Sequence, residues 1–188
     1  NAPFFVDAPV IVAPAPQAKF PFVLVDEASD KPPYIPAGWM GNAQAIKLDP
    51  ASADQPHSGQ TCVKVDYKVG DAWGGVVWQS PEGDWGDKAG GWNLTGAKKL
   101  TFWARGAAGG ETVSFQFGLL KPGEKKFADS GSGTLDKVVL TNEWKQYEID
   151  LAGKDLSRIK TGFVWTVAGQ GRPITFYLDQ VQYEDAAK

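Results

Sequence analysis

The sequence runs to 188 residues and carries 22 Gly, 13 Pro, 8 Trp, 10 Phe, 5 Tyr and a single Cys and His, a length that suits one domain with a proper core. Its 19 Lys plus Arg against 22 Asp plus Glu give a net charge of -3, and without a dense basic run neither nucleic acid nor an anionic membrane has an electrostatic handle. No apolar stretch approaches the roughly 18 residues that a spanning helix needs, and a lone histidine excludes multi-His zinc or copper sites while leaving oxygen-ligand metals open.

Residues 1–21 hold Pro3, Pro9, Pro14, Pro16 and Pro21 among Ala, Val and Phe, a spacing that suppresses helix and central strand and favours extended chain. They are expected to form a linker or a strap, with the domain proper over 22–188. A strap is favoured by Phe4, Phe5, Val10, Ile11 and Val12, which are more apolar than a solvated linker needs. The start Asn1-Ala2-Pro3, without an initiator Met, fits a trimmed chain or a secreted bacterial protein whose signal peptide has been removed.

Strand-like runs follow at 22–27, 43–49, 61–68, 75–80, 98–105, 112–119, 135–141, 145–151, 159–168 and 173–184, separated by Gly, Pro, Asn and Asp clusters. No segment sustains a 3.6-residue apolar period, so the chain is all-β. This cadence predicts a two-sheet antiparallel β-sandwich. Alternation supports it: Leu100, Phe102 and Ala104 oppose Thr101, Trp103 and Arg105, and Val113, Phe115 and Phe117 oppose Ser114, Gln116 and Gly118. Cys62, in the run Thr61-Cys62-Val63-Lys64-Val65, is expected to be a buried, inert thiol.

Two constellations carry candidate chemistry. Trp73, Trp78, Trp85 and Trp92 fall within twenty residues of Gly-flanked sequence, a poor setting for burying all four. An exposed indole stacks well on the C–H face of a pyranose, while neighbours such as Gln79, Arg105 and Gln116 can bond hydroxyls. Trp73, Trp78, Gln79, Trp85, Arg105 and Gln116 are therefore expected to line an extended groove, with the mixed faces carrying Trp103, Arg105, Ser114 and Gln116 on one concave sheet. The second constellation is oxygen-rich: Asp26-Glu27 ends the first strand, a loop spans 54–59, and Asp179 lies inside the last strand. Carboxylates from neighbouring loops suit a hard cation such as Ca²⁺, although no EF-hand loop is present.

Four segments taken in order carry a resemblance: Pro56-His57-Ser58-Gly59-Gln60-Thr61-Cys62-Val63-Lys64-Val65, Leu100-Thr101-Phe102-Trp103-Ala104-Arg105, Trp144-Lys145-Gln146-Tyr147-Glu148-Ile149-Asp150-Leu151 and Phe176-Tyr177-Leu178-Asp179-Gln180-Val181-Gln182-Tyr183. Over residues 22–184 the chain resembles the galactose-binding-like jelly-roll carbohydrate-binding modules appended to secreted bacterial glycoside hydrolases. The resemblance implies a monomeric, non-catalytic module that holds polysaccharide, β-glucan first, as part of a larger multi-domain enzyme. It also implies a structural calcium with side-chain ligands from Asp26 or Glu27 and from Asp179, and backbone carbonyls from His57 and Gln60. Asp179-Gln180 departs from relatives that carry two acids there.

Two other readings compete. Glu148-Ile149-Asp150 resembles part of the Glu-x-Asp-x-Glu strand of laminarinase-type glycosidases, with Ala152 in the third acid position. A small glycosidase or lyase would draw on Glu82, Asp84, Glu148 and Asp150. Alternatively the Trp residues are all core and the domain binds a protein partner.

Overall fold

The computed structural model describes residues 11–27, 29, 31–68 and 70–186. These residues form eleven strands: β1 (Phe22–Val25), β2 (Ile35–Gly41), β3 (Ile46–Ser52), β4 (Cys62–Tyr67), β5 (Gly74–Gln79), β6 (Lys99–Gly106), β7 (Thr112–Phe117), β8 (Gly133–Val139), β9 (Lys145–Asp150), β10 (Thr161–Val167) and β11 (Ile174–Glu184). One sheet runs β3-β4-β11-β6-β9 with β1 added on β11, and the other runs β2-β5-β10-β7-β8. Every pairing is antiparallel.

The period-2 pattern sends one set of side chains from each sheet into a shared core. Phe102 of β6 meets Phe115 of β7 with ring centroids 4.6 Å apart, and Trp165 of β10 meets Phe176 of β11 at 5.1 Å. Each such side chain contributes about 1.5–3 kcal/mol by burial, which makes this aromatic layer the main adhesive between the sheets.

Three sequence expectations are corrected here. β2 falls in a stretch where the sequence marks no strand, because Pro36, Gly38 and Gly41 interrupt its pattern. An edge strand tolerates them, and its register shifts between Pro36 and Gly38. The run expected at 43–49 begins instead as a 3-10 turn, Ala43–Ala45, and the strand proper crosses Pro50 at the other sheet's edge with a shift between Asp49 and Ser52. Finally, β6 and β7 are consecutive in sequence but belong to different sheets. Alternation reports which side of a strand is apolar, not which sheet the strand joins.

The described part of the N-terminal stretch lies along the sandwich. Asn93 N–H donates to Pro16 O at 2.8 Å, Ala18 N–H donates to Asn93 O at 2.9 Å, and Arg158 reaches the carbonyl of Ala13. Phe4, Phe5 and Val10 lie outside the described residues. Cys62 is fully buried, and burial first, then the nearby Asp179 carboxylate, pushes its thiol up to about 11, as an inert thiol requires.

Candidate functional site

The outward face of the five-stranded sheet carries a groove of about 480 Å³ lined by Trp73, Thr112, Ser114, Asp136, Lys137, Thr166, Val167, Ala168, Gly169 and Gln170. These residues come from β7, β8, β10, the turn after β10 and the residue before β5, so the groove runs across four strands. Strand spacing makes that crossing about 14 Å. Cross-strand pairing of Thr166 with Ser114 places two hydroxyls side by side on its floor. Ser114 Oγ donates to Asp136 Oδ1 at 2.6 Å and accepts Lys137 N–H at 3.0 Å, which fixes the far wall. Gln170 is held by a pair of bonds to Thr112, from Thr112 N–H at 2.9 Å and to Thr112 O at 2.8 Å.

Trp73 stands at the rim and is 53% exposed. Its carbonyl accepts Asn42 N–H at 2.9 Å. Its indole lies over Gly41 so closely that a Cβ there would sit 2.9 Å from the ring, and Gly41 adopts a φ of 62°. Glycine is required at that turn, and its bare backbone supports the ring from below. Trp39, on the edge strand β2, is 42% exposed; no alternation points to it in the sequence, because Pro36, Gly38 and Gly41 break the pattern of that strand.

At the other end of β5 the same sheet face is covered. Val77, Gln79 and Val164 are buried yet lie outside the inter-sheet core, and the loop 80–91 folds back onto Gln79. Gln79 Nε2 donates to Asp84 O at 2.9 Å, so this glutamine holds a loop rather than facing the groove. Asp84 in turn accepts the N–H groups of Gly86, Asp87 and Lys88 at 3.2, 3.0 and 3.0 Å and pairs with the Lys160 ammonium. Burial pushes the Asp84 carboxyl up, but Lys160 and the loop amides outweigh it and leave the group below the usual carboxylate range. Trp85, next in sequence, is half-buried.

The six expected groove residues therefore separate. Trp73 is at the groove, and Gln116 of β7 is on the same sheet face, opposite Val164. Trp78 points into the core, 2% exposed, with its ring 5.5 Å from Phe163. Trp92 packs on Phe22 at 5.0 Å and donates its indole N–H to Pro33 O. Arg105 lies on the outward face of the six-stranded sheet, so it cannot share a groove with Gln116.

On that opposite face Arg105 stacks over Tyr177 at 3.7 Å and donates to Asp54 O at 2.8 Å. His57 stacks on Trp103 at 3.7 Å, and Trp144 donates its indole N–H to Gln55 O at 2.9 Å. The assembly fastens the loop 53–60 onto the sheet, a small satellite core rather than an open platform.

The five residues expected around calcium do meet at one corner, with a different set of atoms turned inward. Asp179, fully buried, accepts His57 N–H at 2.9 Å and Ser58 N–H at 3.1 Å. Glu27 accepts Gln60 N–H at 2.6 Å and the Thr61 hydroxyl at 3.0 Å, which holds its carboxyl below the ordinary value. The backbone of His57 and of Gln60 thus presents N–H donors to these carboxylates where carbonyl oxygens were expected. Burial, and the charge of Asp26 nearby, raise the pKa of Asp179. Among the described residues no group of three His, Cys, Asp or Glu side chains converges to metal-binding distance.

No family model matches the sequence, and no curated protein matches it. Solved structures do. The family 30 carbohydrate-binding module of a cellulosomal cellulase of Clostridium thermocellum aligns with a TM-score of 0.62 at 14% identity, covering 89% of this chain and 98% of that one. A family 11 carbohydrate-binding module from Clostridium thermocellum, solved in complex with a β-1,3-1,4-mixed-linked tetrasaccharide, aligns with a TM-score of 0.53 at 15% identity, covering 80% of this chain and 89% of that one. The fold is the jelly-roll β-sandwich of carbohydrate-binding modules. Within this jelly roll the four acids of the glycosidase reading do not form a site. Asp84 is buried against Lys160, Glu82 is exposed on the loop beside it, and Glu148 and Asp150 are exposed on a strand of the opposite sheet.

Proposed function

We propose that this chain is a non-catalytic module that binds the interior of a polysaccharide chain, β-glucan first, in the groove across the five-stranded sheet. The observation that carries the reading is Trp73: a half-exposed, backbone-supported indole beside hydroxyl, amide and charged groups. Exposing an indole sacrifices burial energy, and its apolar face matches the C–H face of a pyranose while the polar floor matches the ring's hydroxyls. The same exposure speaks against the protein-partner reading in which every Trp is core. A groove crossing successive strands suits the middle of a glycan chain. The jelly-roll likeness, and the mixed-linkage tetrasaccharide bound by the family 11 module, support placing β-glucan first.

Affinity electrophoresis in gels containing mixed-linkage β-glucan, cellulose derivatives, xylan, xyloglucan or mannan tests this. Retardation is expected in β-glucan with micromolar to millimolar affinity, nearly independent of ionic strength because neutral sugars offer no charge to screen. Free migration in every gel would overturn the proposal.

Calcium is a further part of this reading, resting on the carboxylates of Asp26 and Asp179 alone. Both are hard oxygen donors, and among the described residues neither has a Lys or Arg within ion-pair distance. A cation there would relieve the cost of burying Asp179 as a carboxylate. An ion present at 100-fold its Kd adds about 2.7 kcal/mol, which for this length raises Tm by about 5–10 °C. Melting in millimolar Ca²⁺ against excess chelator is expected to show that rise in the parent chain and not in Asp179→Asn; coincident melts would end the assignment.

A further inference from the structure

Lys160, immediately before β10, is 1% exposed. Its ammonium pairs with Asp84, donates to Lys88 O at 2.6 Å, and lies 5.9 Å from the centre of the Phe127 ring. Asp84 and Lys88 belong to the loop 80–91, whereas Phe127 belongs to the loop 119–130. The residues around Lys160 tie the second loop down as well. Asp129, also buried, accepts the N–H groups of Lys160, Thr161 and Leu120 and the hydroxyl of Thr161. The two loops then meet directly, Phe127 N–H donating to Gly86 O at 2.9 Å.

A buried ammonium is costly to desolvate, and a Met of similar length would fill the same space without that cost. What the ammonium adds is direction, since three contacts from two loops are satisfied only when both loops are seated together. We infer that Lys160 is a positioning residue: it locks the loops 80–91 and 119–130 to each other over the covered end of the five-stranded sheet and so fixes Trp85 in its half-buried place. The locking is independent of any ligand.

Amide hydrogen exchange on Lys160→Met tests the locking. Asp87, Lys88, Leu120 and Phe127 N–H groups, which the two loops use in these contacts, are expected to exchange at least tenfold faster, with strand amides of β7 and β11 unchanged. Acceleration confined to one loop, or in neither, would overturn the inference. If Lys160→Met does not fold, the Asp84→Asn, Lys160→Met double variant removes both charges and is read at Leu120 and Phe127 alone, because Asp84 itself holds the Asp87 and Lys88 amides; unchanged exchange at Leu120 and Phe127 would overturn the inference. A parent chain that binds no glycan would defeat the groove reading, while the exchange result would still decide whether Lys160 couples the loops.

Discussion

Replacing Trp78 by Ala is expected to lower the melting temperature by about 6–20 °C while leaving glycan binding intact at temperatures where the variant is folded. The indole is 2% exposed and packs edge-on against Phe163, so its removal forfeits transfer energy and leaves a cavity. Large aromatic truncations of this kind cost about 3–5 kcal/mol, and each kcal/mol shifts Tm by about 2–4 °C in a domain of this size. The apolar crevice of about 250 Å³ that Trp78 shares with Leu24, Val25, Tyr34 and Val63 gives the cavity room to stay open, so relaxation recovers little. Against a total stability of about 5–15 kcal/mol the variant still folds at low temperature. Thermal melts paired with electrophoresis well below the variant's Tm distinguish this from a ligand-contact role. Lost retardation with an unchanged melt would mean that Trp78 touches sugar, contrary to its place in the core.

The contrast between Trp78 and Trp73 marks how far the sequence could be read. Strand periodicity marks the apolar faces of β6 and β7, because a two-residue period is imposed by the backbone itself. It also yielded the sandwich, since about ten such strands have few other ways to bury one face each. Sheet membership was beyond its reach. Arg105 and Gln116 sit on neighbouring strands in sequence with similar mixed faces, and only the chain's crossing between sheets sends them to opposite surfaces.

Local density of tryptophan was equally ambiguous. Trp73, Trp78 and Trp85 share Gly-rich surroundings, yet one is on a rim, one in the core and one half-buried in a loop. The distinguishing signal for Trp73 was long-range: Gly41, 32 positions earlier by the numbering, supplies the bare backbone on which the indole rests. The polar groove residues Thr112, Asp136, Lys137 and Gln170 carried no motif at all. Their common property is register, which is set by pairing with β10 and by the turn that follows it. Lys160 was legible only as a charge at the entrance of a predicted strand, where exposure is the usual expectation.

Trp73→Ala is expected to produce the reverse pattern, a large loss of glycan binding with a melt displaced by no more than a degree or two. Its side chain is 53% exposed, and the hydrogen bond that anchors the turn runs from Asn42 N–H to the Trp73 carbonyl, which alanine retains. Stability changes at such positions stay within about 0.5 kcal/mol. Binding loses more, because a stacked indole contributes about 0.5–1.5 kcal/mol beyond the apolar area it covers. With that area included, the loss reaches about 1.5–2.5 kcal/mol, or roughly ten- to sixtyfold in Kd. Trp73→Phe, with a smaller ring on the same supporting glycine, should recover part of the affinity. Isothermal titration of mixed-linkage β-glucan oligosaccharides into the parent, Trp73→Ala and Trp73→Phe gives the ordering directly. Equal affinity across the three would place the sugar elsewhere than on Trp73. Graded affinity, parent above Phe above Ala, is what an aromatic platform requires.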